Sequence, residues 1–510
     1  MAHTGDNRGL RGPTSGLVCV AALVVGLVGC ATSRSPAGAR PAPVAERIGV
    51  LLSEPPFDRV HWGLLVADAE SGRTVYEHNS DLLFIPGSNM KVPVAASALG
   101  LLGPAHRWDT AFFSPVLPAG GVLDGNLYLR AGGDPTLGAP FYPQGGAAER
   151  LVDALLSSGV REVTGRLRID VSGWDSTSVP DSWMVEDLPG VAGATGGAFV
   201  FDRGELEIRV RGASRAGELP SVDWSPRGAD TRPFVENRVV TVAGPIGAPV
   251  RASFLPESRR WVIDGQIEVG GSLDLTRAAR DPVRLAASAL TRALRERGIR
   301  IGETEILWDP NVPIESGCTS GSIPSCPEMH RLEGVESPPL IDVVPQILGP
   351  SQNWMTEQLL RTLGAELGER GGWPEGFSVI QPFLERDARV RAADVHWEDG
   401  SGLSNHNLIS PGALVAILRY ARDQSWGPAF RSALAQPGLQ DSTLESRLLD
   451  LHGRVFAKTG SLSHVNALSG YLVGDDGREL VFAILTNGSN LPASQIRGRI
   501  DAIVLELSRN

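Results

Sequence analysis

Lysine is nearly absent from this sequence. Its 510 residues contain 47 lysines and arginines together, of which only two are lysines, Lys91 and Lys458, leaving 45 arginines. Arginine keeps its proton because its pKa exceeds about 12, whereas burial or a neighbouring cation can make a lysine neutral. The two lysines are therefore the first candidates for positions at which the chemistry of an amine is required.

Basic stripes and membrane-spanning runs are also missing. The formal net charge is −11, and no basic stripe is available to neutralise phosphates, so nucleic acid is excluded as a partner. The apolar run at 17–28 is too short to span a bilayer. It follows Arg8 and Arg11 and has the length of a signal-peptide core.

This run ends in the letters LVGC at Cys30, which resemble the lipobox of bacterial lipoproteins. The resemblance implies that residues 1–29 are a signal peptide and that Cys30 is lipidated; the alternative is a plain secretory signal with a chance cysteine. Lipid chains, at about 0.8 kcal/mol per buried CH2, would anchor the protein stably. Residues 30–47, rich in Pro and Ala, then predict a tether. We expect an exported protein on the periplasmic side of a bacterial membrane, with the outer membrane favoured.

Cysteine is scarce as well, with four in the chain. Cys19 lies inside the signal, which leaves Cys318 and Cys326, eight residues apart, in addition to Cys30. An exported context favours a small disulfide loop between them. Two cysteines with His330 are a poor zinc ligand set, so no metal or other cofactor is expected.

The distribution of helix and strand patterns along the chain predicts one interrupted domain. Mixed helix and strand patterns at 48–107 and 336–510 enclose a stretch at 108–335 in which short strands and turns dominate, with one clear helix at 281–299. This arrangement predicts an α/β domain carrying a β-rich insertion of two subdomains, rather than separate domains in series.

The first lysine lies in the sequence Ser-Asn-Met-Lys, at residues 88–91. Ser88 and Lys91 are three apart at the start of a predicted helix, so their side chains share one face. A serine hydroxyl is a weak nucleophile until a base removes its proton, and a lysine of lowered pKa can be that base. Taken alone, such a pair also occurs by chance, on an ordinary surface helix.

The second lysine opens Lys458-Thr459-Gly460 after a β-like segment, and Ser351-Gln352-Asn353 lies between the two lysines at the start of a helix. A lone Ser-x-Asn is more often a plain helix cap. In this order, however, Ser-x-x-Lys, Ser-x-Asn and Lys-Thr-Gly resemble the penicillin-recognising serine enzymes.

Sequence stretches outside these three motifs make the resemblance more specific. The stretches at 129–138, 181–190, 399–411 and 457–472 resemble the class C low-molecular-mass penicillin-binding proteins, which are D-Ala-D-Ala carboxypeptidases and endopeptidases of peptidoglycan. The resemblance implies a penicillin-binding-protein transpeptidase-like (β-lactamase-like) α/β fold with its large insertion between Ser-x-x-Lys and Ser-x-Asn. It also implies peptidoglycan stem peptides as substrates and β-lactams as covalent inhibitors.

The resemblance implies a role for each motif residue. Ser88 would attack the carbonyl of the penultimate D-alanine, Lys91 would be the base, and Ser351 would relay the proton to the leaving D-alanine. Asn353 would hold the substrate amide. The remaining expectations concern the Lys-Thr-Gly strand: a carboxylate site at Lys458, Thr459 and Ser461, close approach of the substrate backbone at Gly460, and an oxyanion hole at the N–H groups of Ser88 and Ser461.

Three positions depart from the family pattern: Gly87 stands where alanine is usual, Ser461 where threonine is more common, and Asn405 where a basic residue is common. None removes a reacting group, but Asn405 makes side-chain specificity uncertain. Two alternatives stay open, a β-lactamase and a non-catalytic wall-binding lipoprotein. Outside the motifs, Asp134 is interpreted as a turn residue, and Trp174 and Trp183 as packing groups rather than a sugar platform.

Overall fold

The computed structural model describes residues 43–142, 146–177, 179–226, 235–255, 257–258, 260–314 and 317–509. The predicted signal peptide, Cys30 and most of the predicted tether lie outside the described residues. The helices of the described part are α1 (Val44–Ser53), α2 (Lys91–Leu101), α3 (Gly146–Ser157), α4 (Pro282–Glu296), α5 (Leu340–Leu348), α6 (Asn353–Leu367), α7 (Trp373–Arg386), α8 (Pro411–Arg422), α9 (Gly427–Ala433) and α10 (Ala493–Ser508).

An antiparallel five-stranded sheet unites the two ends of the chain. Its order is β18 (Val455–Leu462), β19 (Val465–Val473), β20 (Glu479–Asn487), β1 (His61–Asp68) and β2 (Thr74–His78). Along β20, Leu480, Phe482 and Ile484 pack into a core with α1 and α10, while Val481 and Ala483 belong to the core of α2, α6 and α8. The period of two therefore buries both faces of this sheet between helices.

The first and last strands of the predicted insertion belong to a second five-stranded sheet. Its order is β14 (Thr304–Leu307), β7 (Leu167–Asp170), β5 (Leu127–Arg130), β3 (Asp109–Ser114) and β15 (His330–Glu336). The entering strand β3 and the leaving strand β15 pair antiparallel, with Thr110 opposite Val335. The chain therefore leaves this section beside the point at which it entered.

Two three-stranded sheets extend from this section. They are β10 (Val235–Val242), β12 (Arg260–Glu268) and β11 (Arg251–Leu255), and β13 (Ser272–Ala278), β8 (Glu205–Arg211) and β9 (Ser221–Ser225). Both contribute to one apolar cluster that includes Ile208, Val239 and Trp261. Two-stranded pairs complete the strands: β4 (Val122–Leu123) with β6 (Glu162–Val163), and β16 (Val395–His396) with β17 (Leu408–Ile409).

Three local details differ from the sequence-based expectation. Helix α1 begins at Val44, inside the predicted tether, because Val44, Ile48 and Leu52 form an apolar stripe at helical spacing that is buried with α10. The strand-rich section contains a second helix, α3. The helix expected to start at the Ser-x-Asn motif, α6, begins only at Asn353, so Ser351 lies on the turn between α5 and α6 with a φ of 67°.

Candidate active site

The candidate nucleophile lies on a tight turn that leads into a buried helix. The 3-10 turn Gly87–Met90 precedes α2, whose residues 91–99 are all buried. Pro93 is accommodated in the first turn of α2, where a missing N–H breaks no intrahelical bond. Lys91 therefore starts the helix with its Nζ 2.9 Å from Ser88 Oγ.

Lys91 is fully buried and makes two further hydrogen bonds, donating to Asn353 Oδ1 at 2.7 Å and to the Ser401 carbonyl at 2.6 Å. Burial lowers the pKa of Lys91 to about 7, against the opposing effect of two buried carboxylates, Glu357 and Asp399. At neutral pH a large fraction of this amine is therefore unprotonated and able to accept a proton from Ser88.

The second lysine binds the second serine. Lys458 Nζ donates to Ser351 Oγ at 2.8 Å and to the Thr459 carbonyl at 2.9 Å. Burial, and then the charge of Lys91, hold the pKa of Lys458 well below its usual value. The two lysines therefore influence each other across one site, each hydrogen-bonded to its own serine.

Asn353 connects this site to the strand-rich section. Its Oδ1 accepts from Lys91, and its Nδ2 donates to the Ala192 carbonyl at 3.1 Å. Because the two ends of the amide face opposite kinds of partner, the contacts fix its orientation. One amide hydrogen of Nδ2 remains for another acceptor.

The Lys-Thr-Gly strand, β18, packs directly against the nucleophile turn. Thr459 Oγ1 donates to Thr443 Oγ1 at 2.8 Å, and Ser461 Oγ donates to Asn466 Oδ1 at 3.4 Å. The resemblance implied that Gly460 is a glycine so that the substrate backbone can approach. Packing within the fold also requires a glycine here, because a Cβ would lie 2.2 Å from the Pro86 carbonyl oxygen.

Gly87, one of the three departures from the family pattern, is explained by the same packing. Its φ is 52°, and a Cβ on it would lie 2.9 Å from the backbone nitrogen of Ser461. The segments carrying the two expected oxyanion donors are therefore in contact, as a shared oxyanion hole requires.

Four further residues that hold the site were not among the candidates predicted from the sequence. Ser401 accepts from Lys91, while Glu357 and Asp399 bind the loop around it. With the side-chain amide of Asn89 oriented so that both of its ends have partners, its nitrogen donates to the Lys458 carbonyl at 3.2 Å and its oxygen accepts from Gly460 N at 3.2 Å. One signal was available: Glu357 lies four residues after Asn353, on the same helix face.

The other residues considered in the sequence are explained by their contacts within the fold. Cys318 and Cys326 form a disulfide. Asp134 accepts two bonds from Thr136, as a turn residue does. Trp174 and Trp183 are buried; the first stacks on Arg361 and the second donates to Asp399, so both are packing groups.

The chain as a whole is similar to several known proteins. A family model described as the D-Ala-D-Ala carboxypeptidase 3 (S13) family matches residues 44–509. A D-alanyl-D-alanine carboxypeptidase of Actinomadura sp. (strain R39) is 31% identical, covering 96% of this chain and 89% of the relative. The D-alanyl-D-alanine carboxypeptidase DacB of Haemophilus influenzae is 24% identical, covering 84% of this chain and 85% of the relative.

Among solved structures, penicillin-binding protein 4 (dacB) from Haemophilus influenzae superposes with a TM-score of 0.75 at 21% identity, covering 91% of this chain and 99% of that one. The same protein complexed with a β-lactam superposes with a TM-score of 0.70 at 20% identity, covering 91% of this chain and 100% of that one. These likenesses establish the fold: a penicillin-binding-protein domain of mixed helices and sheets.

Proposed function

The chain belongs to the D-Ala-D-Ala carboxypeptidase 3 (S13) family, and from this premise we propose that it hydrolyses the D-Ala-D-Ala bond of peptidoglycan stem peptides, as a serine-type carboxypeptidase or endopeptidase. One observation carries the proposal. Lys91 is buried and hydrogen-bonded to both Ser88 and Asn353. A base of lowered pKa beside a hydroxyl is what a serine acyl-transfer enzyme requires.

In the acylation step, the neutral amine of Lys91 takes the proton of Ser88 Oγ as that oxygen attacks the carbonyl carbon of the penultimate D-alanine. The negative oxygen of the tetrahedral intermediate would be bound by the N–H groups of Ser88 and Ser461, each contributing about 3 to 4 kcal/mol. The C–N bond then breaks, and the terminal D-alanine leaves as an amine.

The leaving amine needs a proton, and the position of Ser351 suits a relay. Its hydroxyl is bound by Lys458, and it lies two residues before Asn353, which binds Lys91. Water then attacks the ester on Ser88 and releases the shortened peptide, with Lys91 again as base.

Recognition of the substrate is assigned to β18. The terminal carboxylate would be bound by the hydroxyls of Thr459 and Ser461 and by Lys458, whose hydrogen bond to Ser351 also ties this site to the proton relay. β-Lactams present a carboxylate beside a strained amide, so we propose that they acylate Ser88 by the same route.

We also propose that the protein is exported and anchored to a bacterial membrane, with the outer membrane favoured, through lipid on Cys30. The support comes from the sequence at 17–30. In the part of the chain that the structure describes, no helix has the length and apolarity needed to cross a bilayer. Cys30→Ser should abolish incorporation of a labelled fatty acid; unchanged incorporation would contradict the proposal.

A fluorescent penicillin tests the catalytic proposal. Stable labelling that is lost in Ser88→Ala supports it, whereas rapid turnover of the label would indicate a β-lactamase and no labelling would indicate a non-catalytic binder. Purified muropeptides then separate the two activities. Release of D-alanine from pentapeptides defines a carboxypeptidase, and conversion of cross-linked dimers to monomers defines an endopeptidase.

A further inference from the structure

Glu357 is a buried acid with no role in the steps above. It lies on α6, four residues after Asn353, and is fully buried. Its carboxylate accepts hydrogen bonds from Gly400 N at 2.9 Å, from Ser401 N at 2.6 Å and from Trp373 Nε1 at 2.8 Å. Three donors converging on one carboxylate form a rigid arrangement that is costly to break.

The two backbone donors belong to the loop that binds the catalytic lysine. The carbonyl of Ser401 accepts a hydrogen bond from Lys91 Nζ at 2.6 Å, and the N–H of the same residue donates to Glu357. Asp399 fixes the same loop by accepting from Gly402 N at 2.6 Å and Ser404 N at 2.6 Å. The direction of the Ser401 carbonyl is therefore set from both sides by carboxylates.

Resting on the proposed role of Lys91 as base, we propose that Glu357 is a positioning residue for this lysine. It holds the Ser401 carbonyl against the amine and supplies a buried negative charge that faces it. Glu357 acts through Lys91 and not on the substrate.

The charges around Lys91 give this role a measurable consequence. The charged groups that face the lysine are Glu357 from α6, Asp399 from the loop before α8, and Lys458 from β18. Burial, followed by the charge of Asp399, raises the pKa of Glu357, whereas the hydrogen bonds that its carboxylate accepts lower it. The ionised form of Glu357 raises the pKa of Lys91 against the effect of burial. Removing the charge of Glu357 should therefore lower the pKa of Lys91.

Glu357 is itself held by aromatic packing that extends into the strand-rich section. Trp373, which donates to it, has the Arg361 guanidinium 4.5 Å from its ring centroid, and the same guanidinium lies 5.1 Å from the ring centroid of Trp174. Replacing Trp373 by phenylalanine removes the N–H donor to Glu357 while leaving Lys91 and its loop chemically intact.

The test is the rate constant for acylation by a fluorescent penicillin, measured from pH 5 to pH 9 on the full chain. In Glu357→Gln we expect the acidic limb of the profile to move down by about one pH unit. We expect its plateau to fall by about 100-fold, because the lysine is misplaced. Glu357→Asp keeps the charge but shortens the side chain, so the acidic limb should stay at the pH of the wild type while the plateau rate falls. Glu366→Gln, an exposed glutamate on the same helix, is the matched control and should match the wild type.

Each outcome separates this inference from the proposed function. A wild type that is not labelled at Ser88 would overturn the proposed function. A labelled wild type with a Glu357→Gln profile unchanged in limb, or within twofold in plateau, would overturn the positioning role. If Glu357→Gln shows no cooperative thermal unfolding, Trp373→Phe decides: a severalfold lower plateau is expected, and a profile identical to wild type would refute the proposal.

Discussion

The Nζ atom of Lys91 lies 2.9 Å from the Oγ atom of Ser88, inside a site from which the lysine side chain has no solvent exposure. Two further hydrogen bonds, to Asn353 Oδ1 and the Ser401 carbonyl, fix the amine in this position. The contact explains why a chain that uses arginine for 45 of its 47 basic residues keeps lysine here. A guanidinium would retain its proton and could not act as the base.

Lys91→Arg should therefore be nearly as inactive as Lys91→Ala, although it keeps the positive charge. We expect acylation by a fluorescent penicillin to slow by about 1,000-fold or more in both variants, as loss of a general base does. Ser88→Ala provides the zero-labelling reference, and thermal unfolding confirms that each variant is folded. Substantial labelling of the arginine variant would contradict the role of Lys91 as base.

The pH dependence of acylation follows from the same lysine. Its pKa is lowered to about 7 by burial, and the reactive form is the neutral amine. The acylation rate should therefore rise with pH through about 7 and fall roughly tenfold for each pH unit below that. Stopped-flow labelling across this range measures the profile. A rate that stays constant from pH 5 to pH 8 would show that the base is already neutral at pH 5 or that another group fills this role.

A glycine in the loop that binds Lys91 offers a test of close packing. Gly402 has a φ of 80°, and a Cβ there would lie 1.9 Å from the Gly87 carbonyl oxygen and 3.1 Å from Ser88 N. Gly402→Ala should displace the nucleophile turn and lower the acylation rate by about 100-fold. Gly103 is the matched control, because its φ is 85° but a Cβ there would meet nothing within 4 Å.

Gly103→Ala should cost only the strain of the left-handed backbone, about 1 kcal/mol of unfolding free energy, and leave acylation unchanged. Urea unfolding and penicillin labelling measured on both variants separate strain from steric displacement. Equal acylation rates in the two variants would show that the turn at Ser88 tolerates displacement.

The residues that carry local motifs can be predicted from the sequence. The contact between Ser88 and Lys91 is an example, because their spacing and the rarity of lysine are properties of the linear chain. Glu357 could not be predicted in this way, because a glutamate in a helix is ordinarily solvated, and only the fold shows that this one is buried against the 400–401 backbone.

The same distinction applies to the fold. The helix at 281–299 was predicted from its own residues and is present as α4. Helix α3 was missed because its apolar residues, such as Leu151 and Leu155, lie within a section dominated by turn residues. The end of the tether was predicted at residue 47, after the start of α1, because the apolar stripe beginning at Val44 is short and is buried only by contact with α10.

The part of the strand-rich section from β8 to β13, which contains both three-stranded sheets, can be removed in a test of what the chemistry needs. Glu205 and Ala278 are opposite each other in the pairing of these strands, so a linker of two glycines can replace residues 206–277. The apolar cluster of this part is largely its own, but it includes Leu285 of α4, which the deletion would expose; Leu285→Gln in the same variant would keep that surface polar.

We expect this shortened protein to be labelled by fluorescent penicillin at a rate within about threefold of wild type, because no contact of Lys91, Ser351 or Lys458 described above reaches residues 206–277. The Ala278 N–H, which donates to the Pro189 carbonyl near Ala192, is retained. The deletion combined with Ser88→Ala is the control for specific labelling. If the deletion variant unfolds cooperatively but acylates more than 100-fold more slowly, the two three-stranded sheets support the active site. They could then not be a module added for another purpose.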